Sequence, residues 1–208
     1  MSEVKPGGYY SNSRPDLVAA LPRPLVSVLD VVCGEGAVCR LLRSEGAERL
    51  TGIEIDPEAA RVAREFYDEV AEGAVEDVLP TLSGPFDAIL CYDVLEHLVD
   101  PSAVLARLRT LAAPGGHLHV SVPNARHFSL VKDLVLRGTF GYTDWGHRDN
   151  THLRWFTRRD IVAAVEAAGW NVVATSHPPL GRSRGLDRIT RGRSSEFLVA
   201  QVYVLARA

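Results

Sequence analysis

Two short apolar runs that each end in a carboxylate stand close together in the first third of the chain. The first ends at Asp30 and leads into a loop that contains Gly34 and Gly36, and the second ends at Glu54. Ligands of open α/β sheets bind at the carboxyl ends of the strands, where these acids are expected. Glycine lets a ligand approach the backbone, and a carboxylate at a strand tip accepts hydrogen bonds from ribose hydroxyls. The pattern predicts a βαβ unit that binds a nucleoside.

The composition of the glycine loop separates two kinds of cofactor. A dinucleotide site uses Gly-x-Gly-x-x-Gly, and here the third place is Cys39. The loop also contains Glu35 and no basic residue, whereas a pyrophosphate favours backbone N–H groups without nearby carboxylates. An acidic loop suits a cationic ligand with an amino group. An NAD-dependent oxidoreductase is therefore the less favoured alternative.

The loop, Asp30-Val-Val-Cys-Gly-Glu-Gly36, resembles the Asp-x-Gly-x-Gly-x-Gly motif of the class I S-adenosylmethionine-dependent methyltransferases. The resemblance implies an enzyme that uses S-adenosylmethionine. It also implies an α/β, Rossmann-like sheet of seven strands in the order 3-2-1-4-5-7-6, with strand 7 antiparallel and helices on both faces. Val32 stands where the family has its first glycine. A branched residue resists positive φ and adds bulk, so either the backbone there stays in the β region or cofactor affinity suffers.

A second stretch, Asp149-Asn-Thr-His-Leu-Arg-Trp-Phe-Thr157, resembles a signature of small bacterial methyltransferases of the methyltransferase 11/12 type. That signature reads Asp-Arg-Thr-His-Leu-Arg-Phe-Phe-Thr, so Asn150 and Trp155 depart from it. Several proteins of this type act on sugars, lipids or natural products. The segment 92–97, Tyr-Asp-Val-Leu-Glu-His, is similar to a segment common in the same branch. The resemblance covers about residues 9–175.

The resemblance assigns cofactor roles to residues at the strand tips. Glu54 is expected to hold the ribose hydroxyls, and Asp30 to order the loop and face the methionine end, with a simple loop cap as the alternative for Asp30. Asp93 is expected to meet the cofactor's ammonium or a substrate group. The predicted cofactor-binding residues are Asp30, Cys33, Gly34, Gly36, Glu54, Ile55, Glu76, Asp77, Tyr92 and Asp93.

The adenine subsite is less well defined. Relatives carry Gly-Asp-x-Glu after the third strand, and here Ala74 falls at the expected acid. Either Glu76 or Asp77 takes its place, or the register is shifted by two residues. A cofactor-binding protein that has weakened or lost turnover remains a third functional alternative, because both Val32 and Ala74 depart from the pattern.

Three histidines are candidates for catalysis. Methyl transfer is an in-line displacement at a sulfonium, and a hydroxyl nucleophile must lose its proton to a nearby base. His152, His147 and His127 are the candidates, in that order, because a histidine titrates near neutral pH. A structural role that pins the segment to the core is the alternative for His152, and an amine nucleophile requires no strong base. No metal site is predicted.

Composition limits the partners. The net charge of −3 argues against nucleic-acid binding, which needs a basic surface, so an RNA methyltransferase is a weaker variant. No apolar run approaches the roughly 20 residues of a membrane span, and the N-terminus lacks a signal-peptide core. The cysteines at 33, 39 and 91 show no metal spacing and are typical of thiols in a reducing compartment. A cytoplasmic protein with a small-molecule substrate is expected.

The chain is expected to contain an N-terminal arm or lid, residues 1–24, and a single methyltransferase domain, residues 25–208, with a substrate-binding insert at about 123–156. The arm holds Tyr9, Tyr10 and Arg14, and a frayed terminus is its alternative. A helix is predicted from Pro57 to about residue 70, a strand near 73–75 and a last strand over 196–206.

Residues 181–193 contain arginines at 182, 184, 188, 191 and 193 and a single acid. In the expected topology this connection lies on the active-site face, so the arginines favour an anionic substrate such as a nucleotide-linked sugar. A solvated flexible loop is the alternative. The sequence does not determine the oligomeric state, and a homodimer is one state it allows.

Overall fold

A computed structural model describes residues 14–178 and 194–208, which form a seven-stranded sheet in the order β3-β2-β1-β4-β5-β7-β6. The first five strands pair in parallel, and β7 runs antiparallel to both of its neighbours. This order confirms the predicted fold class. The strands are β1 (Ser27–Val31), β2 (Arg49–Glu54), β3 (Glu69–Glu72), β4 (Phe86–Tyr92), β5 (Ala112–Pro123), β6 (Asn171–Ser176) and β7 (Gln201–Arg207).

Helices flank the sheet and complete two cores. The helices are α1 (Pro15–Ala19), α2 (Ala37–Ser44), α3 (Pro57–Ala63), α4 (Val75–Val78), α5 (Pro101–Leu111), α6 (Phe128–Arg137), α7 (Arg158–Ala167) and α8 (Ser195–Leu198), with short 3₁₀ turns at Leu79–Thr81, Leu95–His97 and Gly146–Arg148. Successive strand residues face opposite sides of a sheet. Leu29 of β1 accordingly packs with Leu105 of α5 and Ile161 of α7, whereas Val28 packs with Leu42 of α2.

Local capping explains where three helices begin. The Asp56 carboxylate accepts the N–H groups of Glu58 and Ala59 ahead of α3, and Asp100 accepts that of Ala103 ahead of α5. Thr157 and Asp160 form a reciprocal capping box at the start of α7, as the sequence predicts. Each device satisfies N–H groups that the first helical turn leaves unpaired.

The region after α3 differs from the prediction. The helix ends at Ala63 rather than near residue 70, and the third strand is Glu69–Glu72 rather than 73–75. Asp68 is the cause, because its carboxylate accepts the N–H of Leu50 and an N–H of Arg43, and this fixes the following residues beside β2. The strand lies at the edge of the sheet and is largely polar, so it lacks the apolar alternation that marks a buried strand.

The last predicted strand was also too long. Ser195–Leu198 is a short helix, and β7 begins only at Gln201. The side-chain amide of Asn124 donates to the carbonyl groups of Glu196 and Val199, both at 2.9 Å, and holds this helix against the tip of β5.

Within 14–178 and 194–208, no helix combines the length and the apolar character that a membrane span requires. The predicted arm residues Tyr9 and Tyr10 and the five arginines between 182 and 193 lie outside the described residues.

Candidate active site

A cavity of about 540 Å³ opens at the carboxyl ends of β1, β4 and β5, within the volume range of small-molecule sites. Parallel strands bring their tips to this edge, so residues distant in the chain meet there. Predicted site residues in its wall are Asp30, Cys33, Gly34, Tyr92, Asp93, His147 and His152. The other predicted residues, Gly36, Glu54, Ile55, Glu76, Asp77 and His127, lie outside this wall.

The cavity wall contains strained backbone. Among the described residues other than glycine, only Arg14 (φ 46°), Val32 (φ 66°) and Asp93 (φ 56°) have a positive φ, and all three line the cavity. Such conformations cost about 1–3 kcal/mol each and cluster at functional sites. Of the two outcomes expected for Val32, the backbone in the β region is therefore excluded, and its side chain borders the cavity.

Replacing Val32 with glycine is expected to raise the free energy of unfolding by about 1 kcal/mol. The left-handed conformation costs an L-residue about 1–2 kcal/mol, and the greater freedom of unfolded glycine offsets part of that gain. Urea denaturation of both proteins measures the change. The matched control is Val31→Gly, because Val31 is fully buried within β1 and its loss should destabilise the protein. Equal destabilisation by both changes would contradict the strain at Val32.

Asp30 lies at the tip of β1 with a carboxylate that is almost completely buried. The Tyr67 hydroxyl donates a hydrogen bond of 2.5 Å to it, so its partner is a side chain and not the loop N–H groups of the alternative prediction. Burial raises the pKa of Asp30 to about 6, and the Tyr67 hydrogen bond opposes part of that shift. A cationic ligand in the cavity would favour its ionised form.

Glu54 fixes the glycine loop to the tip of β2. Its carboxylate accepts the N–H of Gly34 through Oε2 and the N–H of Asp56 through Oε1, both at 2.9 Å. Burial raises its pKa, and these two hydrogen bonds oppose the shift. The structure thus assigns Glu54 a loop-positioning contact that sequence reasoning missed, and the ribose contact stays a prediction.

The loop itself requires glycine at two places. Gly34 and Gly36 have φ values of 54° and 84°, and a Cβ on Gly36 would lie 3.0 Å from the Phe66 ring. Cys33, which comes directly before Gly34, is a buried free thiol whose pKa burial raises. Gly34 therefore presents bare backbone to the cavity, and Glu35 lies outside the cavity wall.

Arg14 is a wall residue that sequence reasoning placed only in the arm. Its guanidinium donates to Asp93 Oδ2 at 2.5 Å and to Gln201 Oε1 at 2.7 Å. Gln201 in turn donates to Asp93 Oδ1 at 2.8 Å. Ser121 Oγ lies 3.3 Å from the same oxygen, so the Asp93 carboxylate has three side-chain partners, and its ion pair with Arg14 borders the cavity.

The wall of the cavity also contains histidines from two segments of the chain. The rings of His97 and His152 meet edge-to-face with centroids 4.7 Å apart, and both line the wall. Burial lowers the pKa of His147 to about 4, so this wall residue is neutral at pH 7. His127 lies outside the wall, with its ring 5.4 Å from that of His147 and its Nδ1 2.8 Å from Ser129 Oγ.

Glu96 is a second wall residue that sequence reasoning did not assign to the site. Its side chain is 1% exposed, and within the described part of the chain neither carboxylate oxygen has a hydrogen-bond partner. Its backbone carbonyl accepts the N–H groups of Leu153 and Arg154, which fixes the 149–154 segment against the end of β4. The segment from the second sequence match therefore closes the cavity beside Glu96.

The predicted adenine residues follow β2 and β3. Ile55 is 62% exposed at the tip of β2, and β3 ends at Glu72, so Ala74 comes two residues after the strand. Glu76 and Asp77 lie in the first turn of α4, and the Glu76 carboxylate is 3.4 Å from the N–H of Val99. Position 74 therefore carries no acid, and the two alternative acids, Glu76 and Asp77, lie in the helix that follows.

This sheet order, with a glycine loop between acidic tips of β1 and β2, defines a class I S-adenosylmethionine-dependent methyltransferase. A family model described as a methyltransferase domain matches residues 8–175, and the chain belongs to that family. The match confirms the predicted class and S-adenosylmethionine as the cofactor of that class.

Curated relatives share part of their length with this chain. It is 40% identical over 133 residues to the ubiquinone biosynthesis O-methyltransferase of Xylella fastidiosa strain 9a5c, a match that covers 57% of this chain and 54% of that protein. It is 33% identical over 151 residues to the ubiquinone biosynthesis O-methyltransferase of Xanthomonas oryzae pv. oryzae strain PXO99A, covering 65% and 60%. The chain thus spans little more than half the length of these relatives.

Solved structures share the fold at low sequence identity. An S-adenosylmethionine-dependent methyltransferase from Mesorhizobium loti has a TM-score of 0.65 at 17% identity, covering 93% of this chain and 96% of that one. The magnesium protoporphyrin IX methyltransferase of Synechocystis PCC 6803, with bound SAH, has a TM-score of 0.62 at 21% identity, covering 92% and 78%. These likenesses show the fold alone.

Proposed function

We propose that this chain transfers the methyl group of S-adenosylmethionine to an oxygen atom of a small molecule. The observation that carries the proposal is one cavity whose wall contains Asp30 and part of the glycine loop together with His147 and His152. The names of the curated relatives favour oxygen over nitrogen as the acceptor atom.

The charge of the wall suits this cofactor. Of the described residues that line the cavity, Asp30, Asp93, Glu96 and Asp149 carry carboxyl groups, and Arg14 alone carries a guanidinium. When bound, S-adenosylmethionine supplies a methyl group on a positively charged sulfur. Asp30 and Asp93 would face the cationic methionine end, Gly34 would offer its bare backbone, and Glu54 and exposed Ile55 would meet the ribose and the adenine. Glu76 and Asp77 are the remaining candidates for the adenine amino group.

The histidines of the wall would align the acceptor and promote loss of its proton. In-line alignment of the acceptor and the methyl group alone lowers the activation free energy by several kcal/mol. His152 lies in the wall with His97 and Glu96, so it is the first candidate to act on the acceptor hydroxyl, either as a base or through a ligand that it holds. Neutral His147 offers a second acceptor or donor, and His127 would act only through His147.

The described wall favours a neutral acceptor that carries hydroxyl groups. Recognition of an anionic acceptor, such as a nucleotide-linked sugar, would depend on the arginines between 182 and 193. We place the catalytic domain at residues 25–208, and the substrate-binding part at 123–156, which contributes His147 and His152 to the wall.

Calorimetry and an assay of demethylated cofactor release test this proposal. We expect S-adenosylmethionine to bind with micromolar affinity, NAD to give no heat, and phenols or sugar hydroxyls to be methylated in preference to amines. His152→Ala should lower kcat by about 100-fold or more, since acid–base groups contribute factors of that order. Binding of NAD alone would contradict the proposal. Cofactor binding without turnover on any acceptor would support the alternative of a binding protein, which the strained Val32 favours.

A further inference from the structure

Glu96, His97 and His152 form a compact group in the wall of the cavity, here called the Glu-His-His cluster. One potential ligand atom from each lies within 4.8 Å of the others, and all three residues line the cavity. Glu96 and His97 come from the turn after β4, and His152 comes from the segment that closes the cavity. The cluster is therefore assembled by tertiary structure and borders the cavity.

The Glu96 carboxylate is the first argument for a ligand here. It is 1% exposed, and neither oxygen has a hydrogen-bond partner among the described residues. A buried carboxyl group without a partner costs several kcal/mol, and native structures rarely leave one unexplained. A cation bound between Glu96 and the two imidazole rings would satisfy both oxygens.

The hydrogen bonds of Thr151 give a second, independent argument. Its hydroxyl lies 2.6 Å from the Asp149 carboxylate and must donate there, since a carboxylate only accepts. The same hydroxyl oxygen is 3.2 Å from His97 Nδ1, so it accepts a hydrogen bond from the N–H of that nitrogen. In the neutral ring, this makes Nε2 of His97 the nitrogen that carries the lone pair. Carboxylate-supported orientation of a histidine in this way is typical of metal ligands.

We propose that the Glu-His-His cluster binds one divalent transition-metal ion, with an open coordination position directed into the cavity. Imidazole and carboxylate donors suit Zn²⁺, Mn²⁺, Fe²⁺ or Co²⁺, whereas Mg²⁺ and Ca²⁺ prefer oxygen ligands only. Three protein ligands with a vacant position are the arrangement of a catalytic site, because a structural zinc site uses four.

The ion would act on the acceptor and so rests on the proposed function. A hydroxyl on the open position would lose its proton to solvent at a lower pH. Its oxygen would then form the bond to the methyl carbon while the electron pair of the carbon–sulfur bond stays on sulfur. His152 would be a ligand in this arrangement and not the base. Acceptors with two adjacent hydroxyl groups would be favoured, because both oxygens could reach the ion.

Cobalt spectroscopy tests the site without reference to activity. Protein treated with a chelator and dialysed is titrated with Co²⁺, and we expect one equivalent with the visible absorption of a low-symmetry site. Glu96→Gln and His152→Ala should remove that absorption, and Thr151→Val should weaken Co²⁺ affinity by about 10-fold or more, as loss of an orienting partner does. The matched control is His117→Ala, because His117 lies on β5 away from the cavity wall and should leave the titration unchanged.

Calorimetry with S-adenosylmethionine on the same samples separates the two proposals. Cofactor binding without Co²⁺ uptake would overturn the metal site and leave the methyltransferase proposal in place. Co²⁺ uptake that His117→Ala abolishes, or that Glu96→Gln retains, would show binding elsewhere and overturn the site as well. Methyl transfer that survives the chelator unchanged would overturn the catalytic role of the ion and return His152 to the role of base. Circular dichroism of Glu96→Gln and Thr151→Val confirms that the variants are folded.

Discussion

Glu54→Gln is expected to weaken S-adenosylmethionine binding by about 10- to 100-fold. Hydrogen bonds to a charged group contribute about 1.5–3 kcal/mol, and each 1.4 kcal/mol is a factor of ten in affinity. Glutamine keeps one acceptor oxygen and turns an NH₂ group toward one of the two backbone N–H groups that Glu54 now holds. The loop at Gly34 would lose its anchor, and a ribose bound there would lose a charged partner.

Isothermal titration of both proteins with the demethylated cofactor measures this loss. Glu72→Gln is the matched control, because Glu72 is the register partner of Glu54 on the neighbouring strand and forms only a surface ion pair with Arg64. The affinity of Glu72→Gln for the demethylated cofactor should stay within a factor of two of the parent protein's affinity. A Glu54→Gln protein that is folded and binds as tightly as the parent would show that the cofactor lies elsewhere.

Asp30→Asn is expected to stabilise the protein by about 3 kcal/mol above pH 6 and to leave its stability unchanged below pH 4. Burial raises the Asp30 pKa from 3.8 to about 6, so the folded state binds a proton that the unfolded state has already released. The wild type therefore loses stability as pH rises between these values, by about 1.4 kcal/mol per unit of pKa shift. Asparagine carries no charge and still accepts the Tyr67 hydrogen bond.

The measurement is the difference in unfolding free energy between the two proteins from pH 4 to pH 8. Tyr67→Phe should move the pH window upward, because the Tyr67 hydroxyl now opposes the raised pKa. Asp144→Asn, on an exposed side chain, should give a difference near zero throughout. A flat profile for Asp30→Asn would contradict the buried, proton-binding state of this carboxyl group.

The predictable part of the fold came from signals that act locally. Apolar runs, aspartate–proline helix starts and the Thr157–Asp160 box each depend on a few adjacent residues, and they located β1, β2, β4, α5 and α7. The strand β3 escaped because it is polar and depends on Asp68, whose partners lie on α2 and β2. The helix Ser195–Leu198 escaped because its support comes from Asn124, far earlier in the chain.

The residues of the candidate site also fall into those that local sequence features predict and those that depend on long-range contacts. Asp30, Gly34 and Asp93 could be placed at strand tips from the sequence, since strand ends and glycine loops are local features. Arg14 could not be assigned, because its partners Asp93 and Gln201 are 79 and 187 residues away. Glu96 stood out only as part of the segment 92–97, and the lack of a hydrogen-bond partner for its carboxylate among the described residues is visible only in three dimensions.

The order of the strands has a consequence for the amount of folded protein in a cell. The cavity wall combines residues from the first, fourth, fifth and last strands, so the complete wall forms only when these strands have come together. A ligand that binds only the finished fold shifts the equilibrium toward it, by about 2.7 kcal/mol at a hundredfold excess over its dissociation constant. The abundance of the folded chain would then follow the supply of its cofactor. When the cofactor is scarce, more molecules are unfolded, and proteases remove them.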